Sequence, residues 1–381
     1  MRVAVFSDCY FPAINGVVTS IHQQLEALSG LGHQVELFCP QYAGSEGLDE
    51  GVYRLWARPF IFHKREQFSL PWPPRVLRRM LKEPYDAVHI QTPFSVGLTG
   101  MAVAWARRLP RVFHHHTLWE EYVDYLPVPK RFTAAGSVAL CRGVANRCHG
   151  VVAPSSEVKE RFREQGVKTA IDVIPTGIRA QRFRGGQSLL ESGREEDVCL
   201  YVGRLAHEKS LGSLIQVFQK IHAEHEGARL WLVGDGPARA DLERQAASLG
   251  LADVCRFFGF VERESLRDYV ASARIFLFTS LTETQGLVLL EAQAGGLPVV
   301  AYRASGVNEA VDDGVSGFLV ETGNESKMAA TALRLLRDSG LREKISANAQ
   351  AWSEKFSVER MGEALVCTYE KARKLAQNRA K

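Results

Sequence analysis

RIFLFTSLTETQGLVLLEAQAGGLPVVAY, residues 274–302, decides the fold. It opens on a short apolar run of the buried-strand type, RIFLFTS (274–280), and closes on another, LPVVAY (297–302). Between them the chain turns into a helix near Thr284–Gly286. Strand, helix and strand in so short a span argue for neighbouring parallel strands. Inside the unit stand Glu283 and Glu291, eight positions apart, with a glutamine, a glycine and five leucine, valine or threonine residues between them. Two acids framing a mostly apolar run are costly in a core unless each is paired.

The alternation continues on both sides of this stretch. VCLYVGR (198–204), ARLWLVGDG (228–236) and VCRFFGF (254–260) are strand candidates with helices in the gaps. Earlier, RVAVF (2–6), QVELF (34–38), DAVHI (86–90), RVFHH (111–115), GVVAP (150–154) and IDVIPTGI (171–178) repeat the theme, with a helical pattern from about Val17 to Leu31. A loose polar stretch, RGGQSLLESGREED (184–197), separates the two series. The fold class is therefore α/β: two doubly wound, Rossmann-like units, each a parallel sheet covered on both faces, opposed across a cleft. The expected divisions are 1–176, 177–356 and a last helical stretch, 357–381, that crosses back to brace the first unit. Open sheets of this kind bind ligands beyond the carboxyl ends of their strands, so the chemistry belongs just after strands.

Bulk properties agree. A chain of 381 residues suits two domains. At 46% hydrophobic and 24% charged residues it has the balance of a soluble globular protein. No run of eighteen apolar residues suggests a transmembrane helix, and MRVAVFSDCYFP has too short an apolar stretch for a signal peptide. Seven scattered cysteines without a CxxC pair fit free thiols in a reducing cytosol better than a disulfide or zinc framework. The net charge of +4 lies wholly in the first half, where residues 54–82 hold eight basic residues and one acid. This local basicity suits an anionic lipid surface and not a duplex nucleic acid.

GRLAHEK (203–209) follows a strand, with Arg204 and Lys209 five apart across the start of a helix. A guanidinium and an ammonium beside free helix N–H groups suit a diphosphate, although a solvated loop would read the same way. Glu283 sits at the next strand-to-helix turn, where the N–H groups of Gln285, Gly286 and Leu287 point outward and could hold a phosphate or a sugar hydroxyl. Glu291, further along that helix, suits a ribose diol or a buried arginine. SLPWPPRVLRRMLK (69–82) places Val76, Leu77, Met80 and Leu81 on one helical face and Arg75, Arg78, Arg79 and Lys82 on the other, beside Trp72 and FIFHKR (60–65). Such a helix either lies in a lipid headgroup layer or packs its apolar face on the sheet. In HHHTLWEEYVDY (114–125), His114 and His116 share a strand face and His115 points away, a poor zinc spacing. GDGPAR lacks the third glycine of a dinucleotide loop, so NAD is not expected.

Together GRLAHEK, GDGP (234–237), FFGFV (257–261) and TETQGLVLLEAQAGGLPVVA (282–301) resemble the C-terminal domain of retaining glycosyltransferase family 4, with the GT-B fold. FSDCYFPAINGVVTSIHQQLEALSGLGHQVELFCP (6–40) resembles its N-terminal domain, so the likeness spans nearly the whole chain. The resemblance implies a donor site in which Glu283 contacts the sugar, Glu291 the ribose, Arg204 and Lys209 the diphosphate, Gly16 the donor phosphates through its backbone, and the backbone near Phe260 and Val261 the base. It implies a catalytic role for His116 near the sugar's primary hydroxyl. Trp119, Glu120, Tyr122 and Tyr125 resemble the acceptor loop of the subgroup that glycosylates diacylglycerol-type lipids. The activity implied is retaining hexosyl transfer from a nucleotide diphosphate sugar, UDP-glucose or similar, to a lipid hydroxyl at the cytoplasmic membrane face. The partners are then a nucleotide sugar, a lipid acceptor and an anionic membrane surface, with no metal, no cofactor and no nucleic acid. A soluble or phosphoinositol-type acceptor is the alternative among enzymes, and a non-catalytic nucleotide-sugar-binding protein the alternative outside them. Asp8, Glu120 and Glu121 are left as acids without an assigned role.

Overall fold

The structure, a computed structural model, describes residues 1–13, 15–42, 45, 50–60, 63–69, 74–116, 130–190 and 196–380. The chain forms two compact units, Met1–Gly177 with Val358–Lys381, and Ile178–Ser357.

In the first unit the strands are β1 Arg2–Phe6, β2 Gln34–Pro40, β3 Val52–Leu55, β4 Ala57–Phe60, β5 His63–Ser69, β6 Ala87–Ile90, β7 Arg111–His114, β8 Gly150–Ala153 and β9 Ile171–Val173. Seven of them make one sheet in the order β3-β2-β1-β6-β7-β8-β9, with every pairing parallel. The helices are α1 Gly16–Gly30, α2 Pro74–Lys82, α3 Ser95–Ala106, α4 Lys130–Ala145, α5 Ser156–Glu164 and, from the end of the chain, α12 Val358–Ala380. Side-chain alternation along β1 assigns the two faces. Ala4 and Phe6 share a core with Val76 and Met80 of α2, Val96 and Val103 of α3, Val144 of α4 and Phe162 of α5. Val3 and Val5 share the other with Ile21 and Leu28 of α1 and Leu365 and Tyr369 of α12. An all-parallel sheet needs this cover on both sides, which is why its strands read as unbroken apolar runs.

The second unit holds β10 Asp197–Val202, β11 Ala228–Val233, β12 Cys255–Gly259, β13 Ile275–Phe278, β14 Val299–Tyr302 and β15 Gly317–Val320, all parallel in the order β12-β11-β10-β13-β14-β15. Its helices are α6 Leu211–Glu224, α7 Arg239–Ser248, α8 Leu266–Ser272, α9 Leu287–Ala294, α10 Glu325–Arg337 and α11 Ser339–Ser353, around one apolar core. The direction of winding reverses between β10 and β13, and in the first unit between β1 and β6. At such a reversal the loops leaving the two strands part and open a crevice at the carboxyl ends. The stretches singled out in the sequence follow β10, β13, β1 and β7.

Three elements differ from the sequence reading. Part of FIFHKR is strand: Phe60 ends β4 and His63–Arg65 open β5, and the two strands pair antiparallel, while Ile61, Phe62 and the side chains of 59–66 lie outside the described residues. The helix after GRLAHEK starts at Leu211, two residues beyond Lys209, with a single 3₁₀ turn over His207–Lys209 before it. The apolar face of α2 does not form a membrane face. Val76 and Met80 are buried in the core, Leu77 packs against it, and of the four apolar positions only Leu81 is exposed. Helical spacing alone does not distinguish these outcomes, and the sheet beside α2 claims the face.

Candidate active site

At the β10/β13 switch point the loop after β10 carries Arg204 and Lys209, and the loop after β13 carries Glu283. The two loops are tied together. Thr279 Oγ1 donates to the carbonyls of Lys209 and Ser210 at 3.2 and 3.1 Å, and Thr282 Oγ1 donates to that of Glu208 at 3.4 Å. Lys209 Nζ then donates to Glu283 Oε1 at 2.7 Å, with both side chains more than four-fifths buried. Arg204 is exposed, and the buried Tyr201 hydroxyl donates to its carbonyl at 3.2 Å. Burial, with Glu283 nearby, holds the Tyr201 phenol well above its usual range, so it stays a neutral donor.

Two glycines shape these loops. Gly234 has φ +131°, and a Cβ there would lie 2.0 Å from the Gly203 carbonyl oxygen. Gly306 has φ +67°, and a Cβ there would lie 2.5 Å from the Glu283 carbonyl oxygen and 2.6 Å from the Gln285 nitrogen. Gly306 thus lets the segment after β14 brace the Glu283 turn, where Thr282 and Ser305 form a bridge. The GDGP motif serves close packing of loop on loop at this end of the sheet.

Gly286, in the left-handed region, is the N-cap of α9. Gln285 is buried and Leu287 is half-buried at the first helical position. Glu291 lies one turn further, buried, and accepts a hydrogen bond from Arg263. Burial raises its carboxyl above the usual range, and the Arg263 guanidinium opposes that rise. Arg263 is the site residue that the sequence did not reveal by name. Only the principle that a buried acid needs a cation pointed to it, and VERESLRD (261–268) offers two arginines without saying which one reaches Glu291. Phe260, just beyond β12, is exposed and Val261 is half-buried.

In the first unit Gly16 opens α1 at an exposed position with no atom within 4 Å of where a Cβ would stand, and the Asn15 side chain caps the helix by accepting from Val18 N at 2.9 Å. His116 follows β7 and lies 2.5 Å from Gln91 Oε1 through Nε2. Gln91 Nε2 donates to Gln24 Oε1 at 2.8 Å, Gln24 Nε2 donates to Ser20 Oγ at 3.0 Å, and Ser20 meets the Thr176 hydroxyl at 2.8 Å. This chain of bonds points Gln91 Oε1 at the histidine, so His116 Nε2 carries the proton and Nδ1 is left as the acceptor. Desolvation pushes the His116 imidazole down to about 3, so it is neutral. The rings of His116 and His114 stack at 4.0 Å and those of His114 and His89 at 5.5 Å, while His115 turns away onto Phe162 at 4.0 Å, as the strand alternation requires. Among the described residues no group of three or more His, Cys, Asp or Glu is placed to hold a metal ion.

One acid left without a role in the sequence gains one here, and one cation assigned to the membrane needs correction. Asp8 is a committed structural acid: its carboxylate accepts from Thr92 Oγ1 at 2.6 Å, Ser95 Oγ at 2.7 Å and Val96 N at 2.8 Å, at the start of α3. Arg79 is not a free headgroup cation. Its guanidinium grips Glu36 through two bonds, of 3.0 and 2.7 Å, and lies 4.3 Å above the Tyr53 ring. Arg78 and Lys82 of α2 are exposed. Trp72, the Arg75 side chain, Trp119, Glu120, Tyr122 and Tyr125 lie outside the described residues.

A pair of doubly wound units, each with polar groups at its switch point, is the architecture of GT-B glycosyltransferases. Comparison with known proteins agrees. The family model described as Glycosyltransferase Family 4 matches residues 14–182, and the one described as Glycosyl transferases group 1 matches residues 190–352. The chain is 30% identical to an alpha-monoglucosyldiacylglycerol synthase of Streptococcus pneumoniae, over 84% of this chain and 75% of that protein. It is also 30% identical to one of Acholeplasma laidlawii, over 85% and 86%. The crystal structure of the Anabaena protein HepE in complex with UDP-glucose superposes with a TM-score of 0.76 at 20% identity, covering 97% of this chain and 99% of that one, which shows the shared fold. The chain belongs to the family 4 glycosyltransferases and is an enzyme of that class. No helix among the described residues is long and apolar enough to cross a membrane.

Proposed function

We propose that the enzyme moves a hexose, with retention at the anomeric carbon, from UDP-glucose or a similar nucleotide diphosphate sugar to a lipid hydroxyl such as that of diacylglycerol or a glycosyl-diacylglycerol, at the cytoplasmic face of the membrane. The observation that carries this reading is the likeness, over most of both chains, to two alpha-monoglucosyldiacylglycerol synthases. The UDP-glucose complex of HepE, a protein of the same fold, supports the donor.

On this reading the donor groups are those of the second unit's switch point. Arg204 and Lys209 offset charge on the departing diphosphate, the kind of electrostatic stabilisation that dominates transfer chemistry. Glu283 receives sugar hydroxyls, the backbone of Gln285, Gly286 and Leu287 lines the sugar-phosphate side, Phe260 and Val261 flank the base, and Glu291 exchanges part of its bond with Arg263 for the ribose diol. Gly16 gives the donor phosphates close access to backbone, and His116 offers its Nδ1 lone pair to the sugar's primary hydroxyl. The anomeric carbon–oxygen bond to the diphosphate breaks, the acceptor oxygen bonds to the same face of that carbon, and the acceptor proton passes to the leaving diphosphate. The charge work falls to Arg204 and Lys209, so the reaction as read here draws on no metal.

The test is product analysis after incubation of the enzyme with UDP-glucose and diacylglycerol vesicles. An α-linked glucosyl lipid, absent when Glu283→Ala is used, is the expected product. A glucosylated soluble polyol in place of lipid product would move the acceptor to the soluble class, and a β-linked product would remove retention.

A further inference from the structure

α3, SVGLTGMAVAWA, carries no charged residue in twelve positions. A helix that is apolar all round belongs inside a protein. Its inner face fits that rule: Gly97 and Gly100 let it press onto the Thr92 carbonyl and the Phe6 ring. Its outer face does not. Leu98, Met101, Ala102 and Trp105 form an i, i+3, i+4, i+7 stripe, with Trp105 74% and Leu98 42% exposed. Opposite the stripe stand Ala139, Leu140, Gly143 and Val144 of α4, and the two helices enclose a groove of about 700 Å³ that Arg111 and Arg147 also line. This is ample for an alkyl chain, on the scale of small-molecule pockets.

The surroundings select the occupant. From Ser95 to His116, and from Lys130 to Ser156, the sequence contains no aspartate or glutamate, while it contains Arg107, Arg108, Arg111, Lys130, Arg131, Arg142 and Arg147. Arg107 fastens the end of α3 to the end of α2 by donating to the Glu83 carbonyl at 2.8 Å. Leu81 and Lys82 at the end of α2, like Trp105 and Arg108 at the end of α3, are exposed. An exposed tryptophan and an open apolar groove whose charged lining residues are Arg111 and Arg147 match a leaflet of anionic lipid, with aromatic ring at the headgroup level and cations at the phosphates. A second copy of the same face would set arginine against arginine.

We propose that the groove between α3 and α4 seats an acyl chain of an anionic phospholipid, with Arg111 and Arg147 at its phosphate, and that this outer helical layer, not the apolar face of α2, docks the enzyme on the membrane. The inference deepens the lipid reading above, but it concerns a surface and can fail separately.

The experiment is flotation with vesicles of phosphatidylcholine, with and without phosphatidylglycerol, together with tryptophan quenching by phosphatidylglycerol brominated on its acyl chains. Wild-type protein should float only with the anionic vesicles. Brominated chains should quench an emission component that Trp105→Phe lacks. Ala139→Glu and Arg147→Glu, both at exposed positions, should weaken vesicle affinity about tenfold or more while detergent-dispersed acceptor is turned over as before. Binding by both variants equal to wild type, or quenching unchanged in Trp105→Phe, would overturn the proposal. So would a dimer in gel filtration that Ala139→Glu dissolves without any vesicle binding by the parent protein. Vesicle binding with Trp105 quenching but no lipid product would keep the groove and reject the acceptor assignment.

Discussion

Lys209 and Glu283, seventy-four residues apart in the chain, meet at 2.7 Å where the loops after β10 and β13 run side by side. Each is proposed to touch the donor, and each holds the other in place before the donor arrives. Lys209→Met removes a cation from the leaving diphosphate and frees the glutamate. We expect kcat to fall about 10²–10³-fold, the size found when one electrostatic contact to a transition state is lost. Glu283→Gln keeps an acceptor for Lys209 and should lose less. Steady-state nucleotide release, with a melting curve for each variant, checks both. Equal activity in Lys209→Met would remove that residue from the site.

Glu291 and Arg263 form the second pair, and here the acid is buried. Removing one partner of a buried pair leaves a charge without compensation. Arg263→Ala should cost about 2–3 kcal/mol in denaturant unfolding, because Arg263 itself keeps some contact with water. Glu291→Gln should cost less, as it removes the buried charge, and yet weaken donor binding. If Glu291→Gln bound UDP-glucose as well as the parent enzyme, the ribose assignment would be wrong.

Acid should act on the first unit in two stages. His89, His115 and His116 are each pushed down to about 3 by burial, and His114 lies well below the ordinary value for the same reason. The unfolded chain takes up these protons from about pH 6.5 downward while the folded chain does not. Stability is therefore full above that pH and falls by about 1.4 kcal/mol per pH unit for each such histidine below it. Glu36 acts lower. Burial raises its carboxyl, but hydrogen bonds from Arg79, Tyr85 and Arg2 outweigh burial and bring it down to about 2. Its contribution is present above about pH 4.5 and lost as pH falls toward 2. Urea titrations at stepped pH should show the first slope flattened by His114→Phe and the second by Glu36→Gln.

Arg78, Arg79 and Lys82 look alike in RVLRRMLK but should behave differently. Arg79→Ala strips the nearly buried Glu36 of its bidentate partner and should lower stability by about 2–3 kcal/mol. Arg78→Glu with Lys82→Glu should leave the melting temperature within about a degree or two and reduce flotation with anionic vesicles. A melting loss from the Arg78 and Lys82 pair equal to that from Arg79→Ala would contradict this division.

How far the sequence could be read follows from the same physics. RVAVF, VCLYV, IFLF and VVAY became β1, β10, β13 and β14 because a strand covered on both faces must be apolar throughout, and that signal is local. β3, VYRL, interrupts its apolar residues with an arginine, β4, ARPF, carries an arginine and a proline, and β5, HKREQFS, opens on five polar residues, so none of the three gave such a run. The polar groups of the donor site were legible by type, since acids and cations just after strands need ligands or partners. Their partners were not. Glu36 stands 43 residues from Arg79 and Arg263 stands 28 from Glu291, and no local pattern encodes which cation reaches which acid.

The central claim is transfer of one sugar from a nucleotide diphosphate to a membrane lipid, and nucleotide release from a panel of UDP- and GDP-sugars, with and without diacylglycerol-containing vesicles, tests it most directly. The account predicts fast release from UDP-glucose that requires the vesicles. Slow release indifferent to vesicles, with fast release on addition of a soluble acceptor, would contradict it.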